Sequence, residues 1–172
     1  MLKMLTQPIR DEHKELMPHI ESLLRAGDAL YEGMLTETVC ESLDKAQRFL
    51  TEHLLIHAEA EDRVLYPIVQ RVMGSPLATE TMSYDHKEVQ SLTQQLAMLR
   101  SQILSTTISR ENANSLRRVL YGLYALVKVH IAKEEEVYFP LLDLHLKPAE
   151  AEKMFIDMEA AAMEATTVQQ MA

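Results

Sequence analysis

Six side chains in this chain have types and spacing that suit one task, the holding of metal cations: His13, His57, Glu61, His86, His130 and Glu134. Imidazole nitrogen suits iron, zinc, copper and nickel, and carboxylates able to bridge two ions favour hard, redox-active metals. The six are not scattered. His13 and His86, His57 and His130, Glu61 and Glu134, and Pro67 and Pro140 are each 73 residues apart, and the two histidines within each half are 44 apart. The surrounding sequence repeats with them: DEHKEL at 11–16 is answered by YDHKEV at 84–89, and HAEAEDRVLYPIV at 57–69 by HIAKEEEVYFPLL at 130–142. One ligand-bearing unit is therefore used twice.

The elements that must position these residues read as helices. Glycine (4) and proline (6) are scarce while good helix formers abound, so the fold class is all-α. Apolar residues such as Leu16, Ile20, Leu23 and Leu30, or Leu116, Leu120, Leu123 and Val127, recur at helical spacing. The pattern predicts helices over 8–30, 36–73, 76–104 and 109–142, forming repeat halves 8–73 and 76–145 of a single domain spanning 1–172. Thr36 and Ser109 are expected caps, Ser75-Pro76 and Lys147-Pro148 expected starts, and Gly33 and Gly74 expected ends. Kinks are expected at Pro18, Pro67 and Pro140. A short fifth helix over 148–166, with Met154, Phe155, Met158 and Ala162 on one stripe, is expected to lie on the bundle as a lid or homodimer surface. No strand is expected.

Helix geometry brings the six side chains together. With ~1.5 Å of rise per residue and a turn near 33–35, His13 and His57 stand at one height on antiparallel neighbours, and a turn near 107–108 does the same for His86 and His130. Glu61 and Glu134 each follow a histidine by four residues and so share its face. The connection between the halves fits less well: His57 to Gly74 is 17 residues, Gly74 to His86 only 12. Unwinding near Tyr66-Pro67 is the expected remedy. Four imidazoles and two carboxylates inside an apolar bundle would be costly unless cations compensate them. Two imidazoles per ion with shared carboxylates leave coordination positions open for a small ligand.

Other chemistries find no support. A single cysteine, Cys40, excludes a disulfide framework and CxxC sites. HExxH, a Walker glycine loop, an EF-hand loop and Glu-x-x-His pairs are all absent. The net charge of -9 argues against nucleic acid and anionic membrane as partners, because both need clustered Lys and Arg. No run approaches a membrane span, and cytoplasmic residence is expected. His19 and His145 break the repeat and read as surface residues, while Tyr66, Tyr84, Tyr124 and Phe139 read as core. His53 lies one turn before His57 and reads as a packing residue beside the site or an added ligand.

The doubled pattern resembles the hemerythrin-like, or HHE cation-binding, family: a lone His13, then His57-to-Glu61 with Tyr66-Pro67, then His86, then His130-to-Glu134 with Phe139-Pro140. The resemblance implies an up-down-up-down four-helix bundle and a centre of two iron ions bridged by two carboxylates, open to an oxo or hydroxo bridge. The sequence departs from the oxygen-carrying hemerythrins in two places. Gln90 stands where they have a fifth histidine, and Glu135 rather than Glu134 matches their last spacing. The expected function is a non-haem di-iron protein that binds or senses oxygen, nitric oxide or peroxide, or handles iron. The alternatives are a di-iron redox enzyme consuming peroxide or nitric oxide or donating iron for iron-sulfur cluster repair, and a purely structural bundle.

Overall fold

The computed structural model describes residues 4–31, 33–103 and 107–171. Its helices run in chain order from Gln7–Asp28, through a second helix, to Glu80–Ser101, a fourth helix, and Pro148–Met171. The second helix is continuous but not uniform: Glu37–Phe49 leads into a π-helical turn at Leu50–Leu54, then Leu55–Ala60, a second π-turn at Glu61–Leu65, and Tyr66–Met73. The fourth is built likewise from Arg110–Lys133, a π-turn at Glu134–Tyr138, and Phe139–His145. The first helix packs on the second and fourth, and the third packs on the fourth and second.

Local chemistry accounts for the ends. Thr36 and Ser109, 73 residues apart, each cap a helix in extended backbone, accepting from Val39 N–H at 3.3 Å and Asn112 N–H at 3.1 Å. Gly74 ends the second helix at φ 67°, where a Cβ would be strained. Pro148 opens the fifth helix, as expected. The third helix starts at Glu80 rather than Pro76, because residues 75–79 turn back instead of starting it; the expected end at Leu104 lies outside the described residues.

That turn-back also resolves the mismatch between the halves. Gln70 Nε2 donates to Thr79 Oγ1 at 2.8 Å, so the chain has returned alongside the last turn of the second helix before the third begins. The unwinding expected near Tyr66-Pro67 is present as well, as the π-turn at Glu61–Leu65. At Pro67 and Pro140 the helix widens into a preceding π-turn, with the N–H of Tyr66 reaching Glu61 O and that of Phe139 reaching Glu134 O. A wider turn relieves the clash that a proline ring makes with the carbonyl four residues back.

One strand pair was not expected. Gly33–Met34 pairs antiparallel with Thr107–Ile108 and ties the tips of the two hairpins together. Two residues on each side are too few to leave a periodic signal.

Two apolar clusters bracket the level of the candidate ligands. One, toward the hairpin tips, gathers Leu16, Ile20, Leu23, Leu43, Leu50, Leu116, Leu120 and Leu123; the other, toward the opposite end, holds Ile9, Leu65, Val69, Met82, Leu142, Met154 and Met158. The fifth helix contributes Ala151, Met154, Met158 and Ala161 to the second cluster and reaches Met171, five residues beyond expectation. Tyr84 is a correction: it is 68 % exposed, because two residues of helix before His86 turn it away from the histidine face. No described helix is long and apolar enough to cross a membrane.

The first and fourth helices meet at Gly27, against Tyr121. A Cβ there would stand 2.5 Å from Tyr121 Cε1, whereas one at Gly122 would meet Leu92 at an ordinary 3.6 Å. Gly27→Ala is therefore expected to destabilise by about 1–3 kcal/mol through overpacking, and Gly122→Ala to stabilise by about 0.5–1 kcal/mol through helix propensity. Urea unfolding midpoints check the pair; the reverse order would contradict the packing.

Candidate metal centre

All six sequence-selected residues meet at one level of the bundle, and all are buried. His13 Nε2 and His57 Nε2 lie 3.3 Å apart, and His86 Nε2 and His130 Nε2 3.0 Å apart. Glu61 stands between the pairs, Oε1 at 2.9 Å from His57 Nε2 and 3.7 Å from His13 Nε2, Oε2 at 3.3 Å from His86 Nε2 and 3.9 Å from His130 Nε2. Glu134 spans them from the other side, Oε2 at 3.4 Å from His13 Nε2 and Oε1 at 3.6 Å from His130 Nε2. Two donor groups able to hold an ion result, His13 with His57 and Glu61, and Glu61 with His86 and His130.

The outer faces of the rings explain why the inner ones converge. Each Nδ1 meets a carboxylate: His13 with Glu135 at 3.0 Å, His57 with Glu12 at 3.0 Å, His86 with Asp62 at 2.8 Å, and His130 with Asp85 at 3.1 Å. A carboxylate only accepts here, so Nδ1 carries a proton and Nε2 is the nitrogen left to face inward as a ligand, the arrangement that orients metal-binding histidines. These carboxylates obey the repeat too, Glu12 with Asp85 and Asp62 with Glu135, each pair 73 apart. Their signals in the sequence are the acid immediately before each lone histidine and the acid immediately after Glu61 and Glu134. Glu135 therefore sits outside the ring, bonded to His13 and to Arg10.

The aromatic residue before each proline lies against the lone histidine of the other half. Tyr66 stacks on His86 at 5.5 Å between centroids, and Phe139 on His13 at 5.3 Å. Where the repeat substitutes a hydroxyl for a hydrogen, the halves differ. Tyr66 O–H donates to Glu134 Oε1 at 2.8 Å and lies 3.1 Å from His130 Nε2 and 3.4 Å from His86 Nε2. Phe139 offers nothing equivalent to Glu61. Tyr66, Tyr84, Tyr124 and Phe139 all read as core from the sequence; burial and this contact single out Tyr66.

His53 does not join the ring. It is exposed and stacks on Phe49 at 6.4 Å, because the π-turn at Leu50–Leu54 breaks the register that would have stacked it under His57. His19 is also exposed and stacks on the other side, at 5.1 Å from Phe49. Gln90 is exposed as well, and Val89 faces inward in its stead.

Electrostatics make the site expensive as a purely organic structure. Glu61 and Glu134 are 0 % exposed, and Glu61 Oε1, Glu61 Oε2 and Glu134 Oε2 have no hydrogen-bond partner among the described residues despite the nearby nitrogens. Close approach without hydrogen-bond alignment is what donor atoms aimed at a common cation look like.

The hemerythrin HHE cation binding domain model matches residues 4–142. The chain belongs to that family. Comparison with curated proteins and with solved structures gives no match. Membership makes this a cation-binding domain, and the matched span contains the six candidate ligands and the four carboxylates behind their rings.

In the metal-free hemerythrin fold these groups lean on each other. Burial pushes His57, His86 and His130 down, but the hydrogen bonds and charge of their carboxylate partners outweigh it, raising all three, His130 to about 10. Burial pushes Glu61 up, and the imidazoles around it outweigh that, holding it well below the usual carboxylate range. A raised imidazole contributes stability that is whole below its ordinary value near 6.5 and is lost as pH climbs through the raised value; the depressed Glu61 contributes above its ordinary value near 4.5 and loses that contribution in acid. The metal-free protein is thus expected to melt at its highest temperature between those two values and at steadily lower temperature toward pH 10. Metal affinity should rise over the same alkaline window, since the ions must displace protons. Calorimetry of metal-stripped protein from pH 5 to 10 checks this, and a melting temperature that rises above pH 7 would contradict it.

Proposed function

We propose that His13, His57, Glu61, His86, His130 and Glu134 hold two iron ions as a non-haem di-iron centre, and that the protein binds or senses a small ligand there. On this reading the halves 8–73 and 76–145 form one domain, His13 and His57 serve one ion, His86 and His130 the other, and Glu61 and Glu134 bridge them. The observation that carries the reading is the set of three orphaned, fully buried carboxylate oxygens facing four inward Nε2 atoms. Nitrogen and oxygen donors without any sulfur, in a site shared by two carboxylates, suit iron. When bound, the ions supply Lewis acidity and redox chemistry.

The size of the ligand follows from what lies beside the ring. A cavity of about 20 Å³ is bounded by His57, Glu61, His86 and His130 on one side and by Leu54, Ala58, Val89, Val127 and Ile131 on the other. It has room for a water-sized or diatomic molecule and little more. Its apolar wall favours oxygen or nitric oxide over charged species. Ligand sensing, in a cytoplasmic setting and without an organic substrate, is the function this supports best.

Tyr66 favours a second reading, a redox enzyme that consumes peroxide or nitric oxide. Its O–H, held by Glu134 Oε1 between His86 and His130, would be placed to give a proton or hydrogen bond to a small molecule held beside those two histidines. Burial and the charges of Glu61 and Glu134 raise its ionisation far above the ordinary phenol, so it stays a donor in the metal-free protein.

Metal analysis with ultraviolet-visible spectra of protein purified with and without air tests the proposal. Two irons per chain with near-ultraviolet absorption in the oxidised form are expected; zinc alone would remove the redox readings. Ala58→Leu is expected to keep both irons yet weaken nitric oxide binding at least tenfold by filling the cavity. Tyr66→Phe, with iron retained, separates the two functions: stoichiometric ligand binding persists under the sensing reading, and sustained peroxide turnover collapses under the enzymatic one.

A further inference from the structure

The buried ring has two approaches from the surface, one on each side of the fifth helix, and they differ in charge. The first is a groove of about 550 Å³ between the first, second and fifth helices whose inner end is His57. Glu12, Glu15, Glu52 and Glu159 line it together with His19 and His53, and it contains no lysine or arginine. The second, about 580 Å³, lies between the second, third and fifth helices and ends at His86. Arg63 and Lys87 line that one beside Glu59, Asp62 and Glu164, so cations offset most of its acids, and the ion pair of Arg63 with Glu164 at 2.7 Å spans it.

We propose that the first groove is the route by which divalent metal ions reach the buried centre. Glu15, Glu52 and Glu159 are exposed carboxylates at its rim, and a rim of one sign raises the local concentration of the opposite ion. His19 and His53 add borderline-soft nitrogen donors on either side of Phe49. Glu12 is the last carboxylate on the way in: half exposed, it accepts from His57 Nδ1 at 3.0 Å. Beyond it, His57 Nε2 lies 2.9 Å from Glu61 Oε1, one of the fully buried oxygens without a hydrogen-bond partner. Carboxylates thus run from solvent to an unsatisfied donor, and the exposed imidazoles that the repeat did not explain acquire a purpose in transit rather than in the ring.

The inference rests on the metal-centre reading, and stopped-flow uptake of cobalt(II) by the metal-stripped full chain distinguishes the two. The groove variant is Glu15→Gln/Glu52→Gln/Glu159→Gln; the control, Glu37→Gln/Glu41→Gln/Glu111→Gln, removes equal charge near the hairpin tips. The groove variant is expected to load roughly three- to tenfold more slowly at low ionic strength, to reach the same final stoichiometry, and to lose most of the salt dependence of the rate, while the control loads like the parent. Unchanged loading in the groove variant, or equal slowing in the control, overturns the route while leaving the centre standing. Lower final stoichiometry in the groove variant also overturns it, since those carboxylates would then belong to the site itself. Failure of the parent chain to bind cobalt overturns the metal centre.

Discussion

Two glutamates shut away from water, with three of their four oxygens lacking a hydrogen bond among the described residues, are the constraint on which the rest of the fold turns. The effective penalty for burying a charge is about several kcal/mol per ion even after relaxation, and this chain buries Glu61 and Glu134 together. Four imidazoles are ranged around them, and each is aimed by a carboxylate on its far side. The outcome is a carboxylate- and nitrogen-lined space at the junction of two apolar clusters. Without cations it depends on imidazolium charge and hence on pH; with cations it needs no protons.

The helices serve this arrangement in ways that ordinary α geometry would not. Each π-turn that begins at Glu61 or Glu134 sets two consecutive acids to different tasks, the first facing the ring and the second, Asp62 or Glu135, reaching across to the lone histidine of the other half. The same turn brings Tyr66 or Phe139 against that histidine. The halves therefore hold each other's ligands in place, so neither hairpin would be complete alone. Differences between the halves are small and local: a hydroxyl at Tyr66, an extra π-turn at Leu50–Leu54, Arg10 neutralising Glu135 where the other half has Ser83 bonded to Asp62.

The sequence carried the ring because a 73-residue repeat makes six positions mutually predictive, and helix rise converts their spacing into a common height. It carried Thr36, Ser109 and Pro148 as helix starts, since capping chemistry is local. It placed the third helix but not its start, which falls at Glu80 because residues 74–79 fold back against Gln70, a tertiary contact. Nor did it decide among His53, Tyr66 and Tyr84: a π-turn displaced the first, a two-residue offset exposed the last, and only the packing of the two halves put the Tyr66 hydroxyl beside Glu134. The strand pair at the hairpin tips likewise arises only when both hairpins stand side by side.

An anomalous-difference map from crystals of iron-loaded protein, collected at the iron edge, tests the central claim most directly. The account predicts two peaks inside the bundle, one beside the Nε2 atoms of His13 and His57 and one beside those of His86 and His130, with Glu61 and Glu134 between them. Iron found solely on surface carboxylates, with the interior space holding none, would contradict it.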